Sequence, residues 1–164
     1  MDIARIAENK YRIKVKRGVA VVNVGVDVEI QGTVSKTPFV ITQPGEYEVE
    51  GISVFAYQTG ETLASVIHVE DLKVLALASE LSDSLIDDLD TIDVVIVNTD
   101  KMNSKASVAM IGKIEPSCVV PAGDATNIAV FVKDFEHASR ETNKLSLSKA
   151  TLNSDITDVV VLTD

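Results

Sequence analysis

Tryptophan is absent, and aromatic residues make up only 4% of the 164-residue chain. A core so poor in rings has to be packed from Val, Ile, Leu and Ala. That favours strands and stacked sheets over an aromatic-lined ligand pocket. Histidine occurs twice, at His68 and His137, far apart and in no ligand motif. Metal-assisted hydrolysis rests on clustered imidazoles and carboxylates, which this pair does not supply. The single cysteine, Cys118, excludes an internal disulfide. It sits in the apolar run Ser117-Cys118-Val119-Val120 with no base nearby, and reads as an inert core thiol. There is no Gly-rich phosphate loop and no Gly-x-Ser-x-Gly elbow. No apolar run reaches the roughly 18 residues of a membrane span, and Met1-Asp2-Ile3-Ala4-Arg5 carries no apolar signal core. A cytoplasmic protein with no membrane partner is expected.

What is present is ordinary for a globular protein: 46% hydrophobic and 24% charged residues, a length suited to one domain over residues 1–164. The formal net charge is −10, which repels phosphate backbones and argues against a nucleic-acid partner. Basic residues gather early, at Lys10, Arg12, Lys14, Lys16 and Arg17. On a strand Arg12, Lys14 and Lys16 share one face. With no aromatics between them to stack bases, they read as the solvated face of an edge hairpin.

The first half reads as strands: Tyr11 to Lys16 and Val19 to Val24 as a hairpin about Arg17-Gly18, then Val26 to Ile30 and Phe39 to Ile41. Pro44-Gly45 marks a turn before Tyr47 to Glu50 and Ile52 to Tyr57. Leu63 to Glu70 and Lys73 to Ala78 form another hairpin, the second strand apolar throughout and so covered on both faces. The second half alternates. Ser82 to Leu89 reads as a short helix, Asp93 to Val97 as a strand, and Asn103-Ser104 as the cap of a helix ending before Pro116. Cys118 to Val120 is a strand, a helix runs from Asp124-Thr126 to about Ala138, and Val159 to Leu162 is a last strand. This order predicts an α/β (α+β) protein of two sheets with helices outside them.

These segments carry a resemblance. Pro44-Gly45-Glu46-Tyr47-Glu48-Val49, then Leu72 to Ser79, then Ile92-Asp93-Val94-Val95-Ile96-Val97, then Ile114 to Pro121, follow the order found in the metallo-β-lactamase fold superfamily. The chain resembles its small bacterial branch of lactonase-like (ascorbate-6-phosphate lactonase-like) proteins, over roughly residues 38 to 162. The resemblance implies a truncated αββα sandwich of two mixed β-sheets with outer helices. It also shows what has gone. The His-x-His-x-Asp-His loop of such proteins has no counterpart between Val24 and Pro38. Ser79 stands where a metal-bridging Asp would be, and Gly123 where the last His would fall. Asn98-Thr99-Asp100 replaces a small Gly-containing turn, and Ala7-Glu8-Asn9 a Gly-His-Ser. Without ligands there is no ion to lower the pKa of bound water to about 7.

No catalytic, cofactor-binding or metal residue is assigned. Ser79, Asp100 and Asp124 are the rim candidates, each following a strand end where the resemblance would place a site; two carboxylates and a hydroxyl there can hold a cation or cap the following helices. Glu46, Glu48 and Glu50 alternate on one face as a weaker cation candidate, and Asp87, Asp88 and Asp90 read as a solvated helix face. His68 reads as a surface residue and His137 as a helix-end residue. The expectation is a degenerate hydrolase fold without cofactor, serving as a binding, scaffold or assembly subunit. The alternative is a hydrolase with a non-standard or partner-completed site. Loss of a covering loop and helix should bare apolar surface, which predicts a protein partner or a homodimer.

Overall fold

The computed structural model describes residues 1–153 and 155–164. Alternation writes the first sheet. Along Lys10–Val15, Tyr11 and Ile13 are buried while Arg12 and Lys14 are exposed, the period-2 signature of a half-buried strand. Strands β1 (Asp2–Ala7), β2 (Lys10–Val15), β3 (Gly18–Asn23), β4 (Asp27–Gly32) and β5 (Phe39–Ile41) follow one another. Next come β6 (Gly45–Val49), β7 (Ile52–Thr59), β8 (Thr62–Val69), β9 (Leu72–Leu77), helix α1 (Asp83–Asp88) and β10 (Val94–Asn98). Helix α2 (Ser104–Ile114), β11 (Cys118–Ala122), α3 (Ala125–Phe135), β12 (Ser139–Thr142), β13 (Leu145–Ser146) and β14 (Asp158–Leu162) complete the chain.

One sheet runs β13-β1-β2-β3-β4-β5 and is antiparallel throughout. The other runs β12-β14-β11-β10-β9-β8-β7-β6, parallel from β12 to β9 and antiparallel from there to β6. The two stack about an apolar layer that includes Ile3, Tyr11, Ile13, Ile30, Val74, Ile96, Val120 and Val160. A second apolar layer lies between the eight-stranded sheet and the helices, with Leu75, Val95, Val119, Met110 and Phe131. Strand β9 feeds both layers, Val74 and Ala76 one way, Leu75 and Leu77 the other. The strand read as covered on both faces is covered on both.

The sandwich therefore has its helices on one side only among the described residues, and one of its two sheets is mixed. Among the described residues the outer face of the first sheet is bare of helix. That face carries Arg12, Lys14 and Gln31 as exposed groups beside half-buried Val19, Val21 and Glu29. The basic hairpin is not at an edge: β1 pairs with β2, and β4 with β3. Strand β1 escaped the sequence reading because only Ile3 of its six residues is buried. The bare face is not broadly apolar, against the expectation of exposed apolar surface there. Arg12 and Lys14 stand opposite Val21 and Val19 in the register, a pairing in which long basic side chains cover apolar neighbours and keep their charges in water.

Helix boundaries follow their caps. Ser82, Asn103 and Asp124 accept the N–H groups of Leu85, Ala106 and Asn127 at 3.2, 2.9 and 2.9 Å. Helix α3 stops at Phe135, three residues before the end expected at Ala138. Glu136 there turns left-handed at φ 57°, and Glu115 closes α2 the same way at φ 53°. Among the described residues no helix is long and apolar enough to cross a membrane.

Candidate functional site

Parallel strands point their C-terminal ends to one rim, the usual ligand end of an α/β sheet. Here β9, β10 and β11 deliver Ser79, Asn98-Thr99-Asp100 and Gly123-Asp124. The structure joins two of the three rim candidates. Asp100 Oδ1 accepts the Asp124 backbone N–H at 2.9 Å, and the Asn127 side-chain amide donates to Asp100 Oδ1 and Asp124 Oδ2, both at 3.0 Å. Asn9 Nδ2 donates to Asp100 Oδ2 at 2.9 Å from the turn between β1 and β2. Ser79 belongs to a different network: its Oγ lies 2.8 Å from Thr59 Oγ1 and from Thr62 Oγ1, tying the end of β9 to the β7–β8 hairpin.

Both oxygens of Asp100 are thus taken by N–H donors. Burial acts first on this carboxyl and pushes it up. The donors Asn127, Asn9 and the Asp124 N–H, with the Arg5 charge, outweigh it and hold the group below the usual carboxylate value of 3.8. A lowered folded-state pKa adds stability that is complete above 3.8 and is lost as pH falls through the lower folded value. Asp100→Ala should cost about 1–3 kcal/mol by stranding three donors, toward the low end because the group is partly solvated. Urea midpoints at pH 7 with an unchanged slope will read it, and the gap between parent and variant should narrow below pH 4.

Gly123 explains why this pattern excludes an imidazole. Its φ is +135°, and a Cβ built there would lie 2.5 Å from Asp100 Oδ1 and 2.7 Å from Thr99 Oγ1. The carboxylate occupies the volume that a side chain at 123 would need. On the other side of the rim Gly25, at φ +88°, brings the turn after β3 against Ala78 with no room for a Cβ. The Gly25 carbonyl accepts Leu63 N–H at 3.0 Å, and the neighbouring Val24 carbonyl accepts Asn98 Nδ2 at 3.3 Å. The interval that lacks the histidine loop is closed by main-chain bonding.

These residues do not fit a transition-metal ion. The side chains that converge on Asp100 are amide donors, which repel a cation, and no group of three His, Cys, Asp or Glu among the described residues can hold a metal. One orphaned acceptor, buried Asn9 Oδ1, has no partner, but a single amide oxygen is not a site for zinc.

The remaining candidates are dispersed. Glu46 and Glu48 are exposed on β6, but Glu50 leaves their face. It turns at φ 50° and accepts Val34 and Ser35 N–H groups, both at 2.9 Å. Those bonds, the Val34 one first, draw its pKa down, so the acidic triple is not one cluster. Asp87 and Asp88 are exposed, and Asp90, beyond α1, pairs with Lys73 at 2.6 Å. His68 sits half-buried on β8 between Ser53 and Lys73, and His137 packs on the Phe135 ring at 4.6 Å. Cys118 is buried, and burial chiefly, then the Asp158 charge, pushes its thiol up to about 12, which leaves no thiolate at neutral pH. Asn9 and Asn127 were missed by sequence reasoning. Asn127, three residues after the cap Asp124, carried a local signal; Asn9, 91 positions from Asp100, carried none beyond the resemblance that set Ala7-Glu8-Asn9 in place of a Gly-His-Ser.

Neither a family model nor a curated protein matches the chain. Among solved structures it is similar to a crystal structure from Thermotoga maritima, assigned as a zinc-dependent hydrolase of the metallo-β-lactamase superfamily. The identity is 16% and the TM-score 0.73, over 99% of this chain and 100% of that one. At that identity the likeness shows the fold alone: a metallo-β-lactamase-like sandwich.

Proposed function

We propose that this chain is a non-catalytic binding or assembly subunit built as one domain on the metallo-β-lactamase fold, beside the lactonase-like branch, with no metal site of its own. One observation carries the reading. Where the last metal imidazole of such proteins would stand, Gly123 packs on a carboxylate already held by three N–H donors. Hydrolysis by metal-bound hydroxide needs the opposite arrangement, lone pairs converging on an open position. A cytoplasmic place agrees with the buried thiol. Partner contacts fit the segment leading into and through β5, the open edge of the first sheet, where Val34, Phe39 and Val40 are 84%, 46% and 52% exposed.

A second reading, a hydrolase whose ligands a partner chain completes, is favoured by the assignment of the similar Thermotoga structure. Elemental analysis of the dialysed protein separates the two. Zinc, manganese and iron well below one equivalent per chain are expected, and a stoichiometric ion overturns the first reading. Size exclusion with light scattering tests the assembly role: a dimer or a co-purifying protein is expected, and a clean monomer without partner sinks it.

A further inference from the structure

We infer that the end of the molecule opposite the Asp100 rim is a binding pocket for a small organic ammonium with an apolar or aromatic body. A cavity of about 600 Å³ opens where the last turns of α2 and α3 meet the segments entering β10, β11 and β14. That size suits a small molecule. One part of its wall is apolar: buried Ile111, half-buried Val108 and Phe135, and Ile156, which is 57% exposed. Gly112 leaves the space open from the helix side, since a Cβ there would meet nothing within 4 Å.

The charge around this apolar space has one sign. Glu115, Asp155 and His137 line it, and among the described residues no lysine or arginine does. His137 Nδ1 lies 3.4 Å from the Thr157 carbonyl. A carbonyl only accepts, so Nδ1 is the donor in that contact. Two carboxylates beside a partly apolar wall select a cation with N–H groups and a hydrophobic body. They reject a hydrophobic anion by like-charge repulsion. A metal ion is the wrong cation, because no three such side chains among the described residues gather closely enough to hold one. The pocket lies at the N-terminal ends of the parallel strands, so it stands whether or not the rim proves catalytic.

The test is an amide-shift titration of the whole ¹⁵N-labelled chain with 2-phenylethylammonium, and in parallel with 3-phenylpropionate. Saturable shifts confined to the neighbourhood of Gly112, Ser117 and Ile156 are expected, saturating below about 1 mM with the ammonium and absent with the carboxylate. Gly112→Leu fills the opening from a helix that tolerates leucine better than glycine, and should weaken binding at least about tenfold with the unfolding temperature kept. The Glu115→Gln, Asp155→Asn pair keeps the cavity and should abolish the preference for the cation. Shifts that never saturate or scatter over the acidic surface, equal binding of the carboxylate, or a Gly112→Leu variant with parental affinity would each overturn the inference.

Discussion

Gly123→His should unfold about 6–12 °C below the parent, the equivalent of roughly 3 kcal/mol in a chain of this length. Two costs add. A non-glycine residue at φ +135° is held in a backbone region that costs of order 1–3 kcal/mol. Its Cβ also has to displace the Asp100 carboxylate 2.5 Å away, which strands the Asn9, Asn127 and Asp124 donors. Gly60→Ala separates the two costs. Gly60 is left-handed at φ +64° with nothing within 4 Å of a built Cβ, so it registers backbone strain alone, about 1–2 kcal/mol. In an Asp100→Ala background the histidine should cost less than it does alone, because the displaced group is gone. Thermal melts of the parent, the three single variants and the Asp100→Ala, Gly123→His double variant decide the matter. A Gly123→His variant melting with the parent would mean that the rim has room for an imidazole, and the case for a closed site would fall.

Phe131→Ala should cost about 3–5 kcal/mol, lowering the melting temperature by roughly 6–20 °C. Phe131 is 0% exposed, lies between α3 and the eight-stranded sheet, and meets the Phe135 ring at 5.5 Å. Aromatics are scarce in this chain, so few neighbours can fill the space it would leave. Hydrogen exchange should show the loss first in α3, whose stability comes from packing more than from propensity. Val130→Ala is the control: 47% exposed on the same helix, it should change stability by less than about 0.5 kcal/mol.

The elements read well wherever local chemistry decides them. Ser82, Asn103 and Asp124 each cap the helix that was read from them, because an N-cap needs only its own side chain and an N–H three residues on. The two-sheet sandwich followed from alternation and order. Strands β12 and β13 could not be read, since Ser139-Arg140-Glu141-Thr142 has no apolar face and is ordered by β14 beside it. The position of the basic hairpin inside its sheet was hidden for the same reason: pairing partners are a long-range fact. At the rim, Asp124 caps α3 as read, but Asp100 caps no helix, because Asn103 takes that role for α2; Asp100 instead accepts the Asp124 N–H and the Asn127 amide. The Asn9 amide that completes the set arrives from a remote turn, and Glu50 left its strand face through a left-handed turn that alternation does not foresee.

Helices α2 and α3 both end on a glutamate in the left-handed conformation, Glu115 at φ 53° and Glu136 at φ 57°. Glycine holds that conformation without the steric cost that a Cβ brings, of order 1 kcal/mol at each position. Against a net stability of about 5–15 kcal/mol for a domain, these two termini leave a measurable reserve unused. The molecule sits below the heat tolerance its own architecture permits, and a close homologue from a hotter habitat has a direct route upward through these two residues without touching the core.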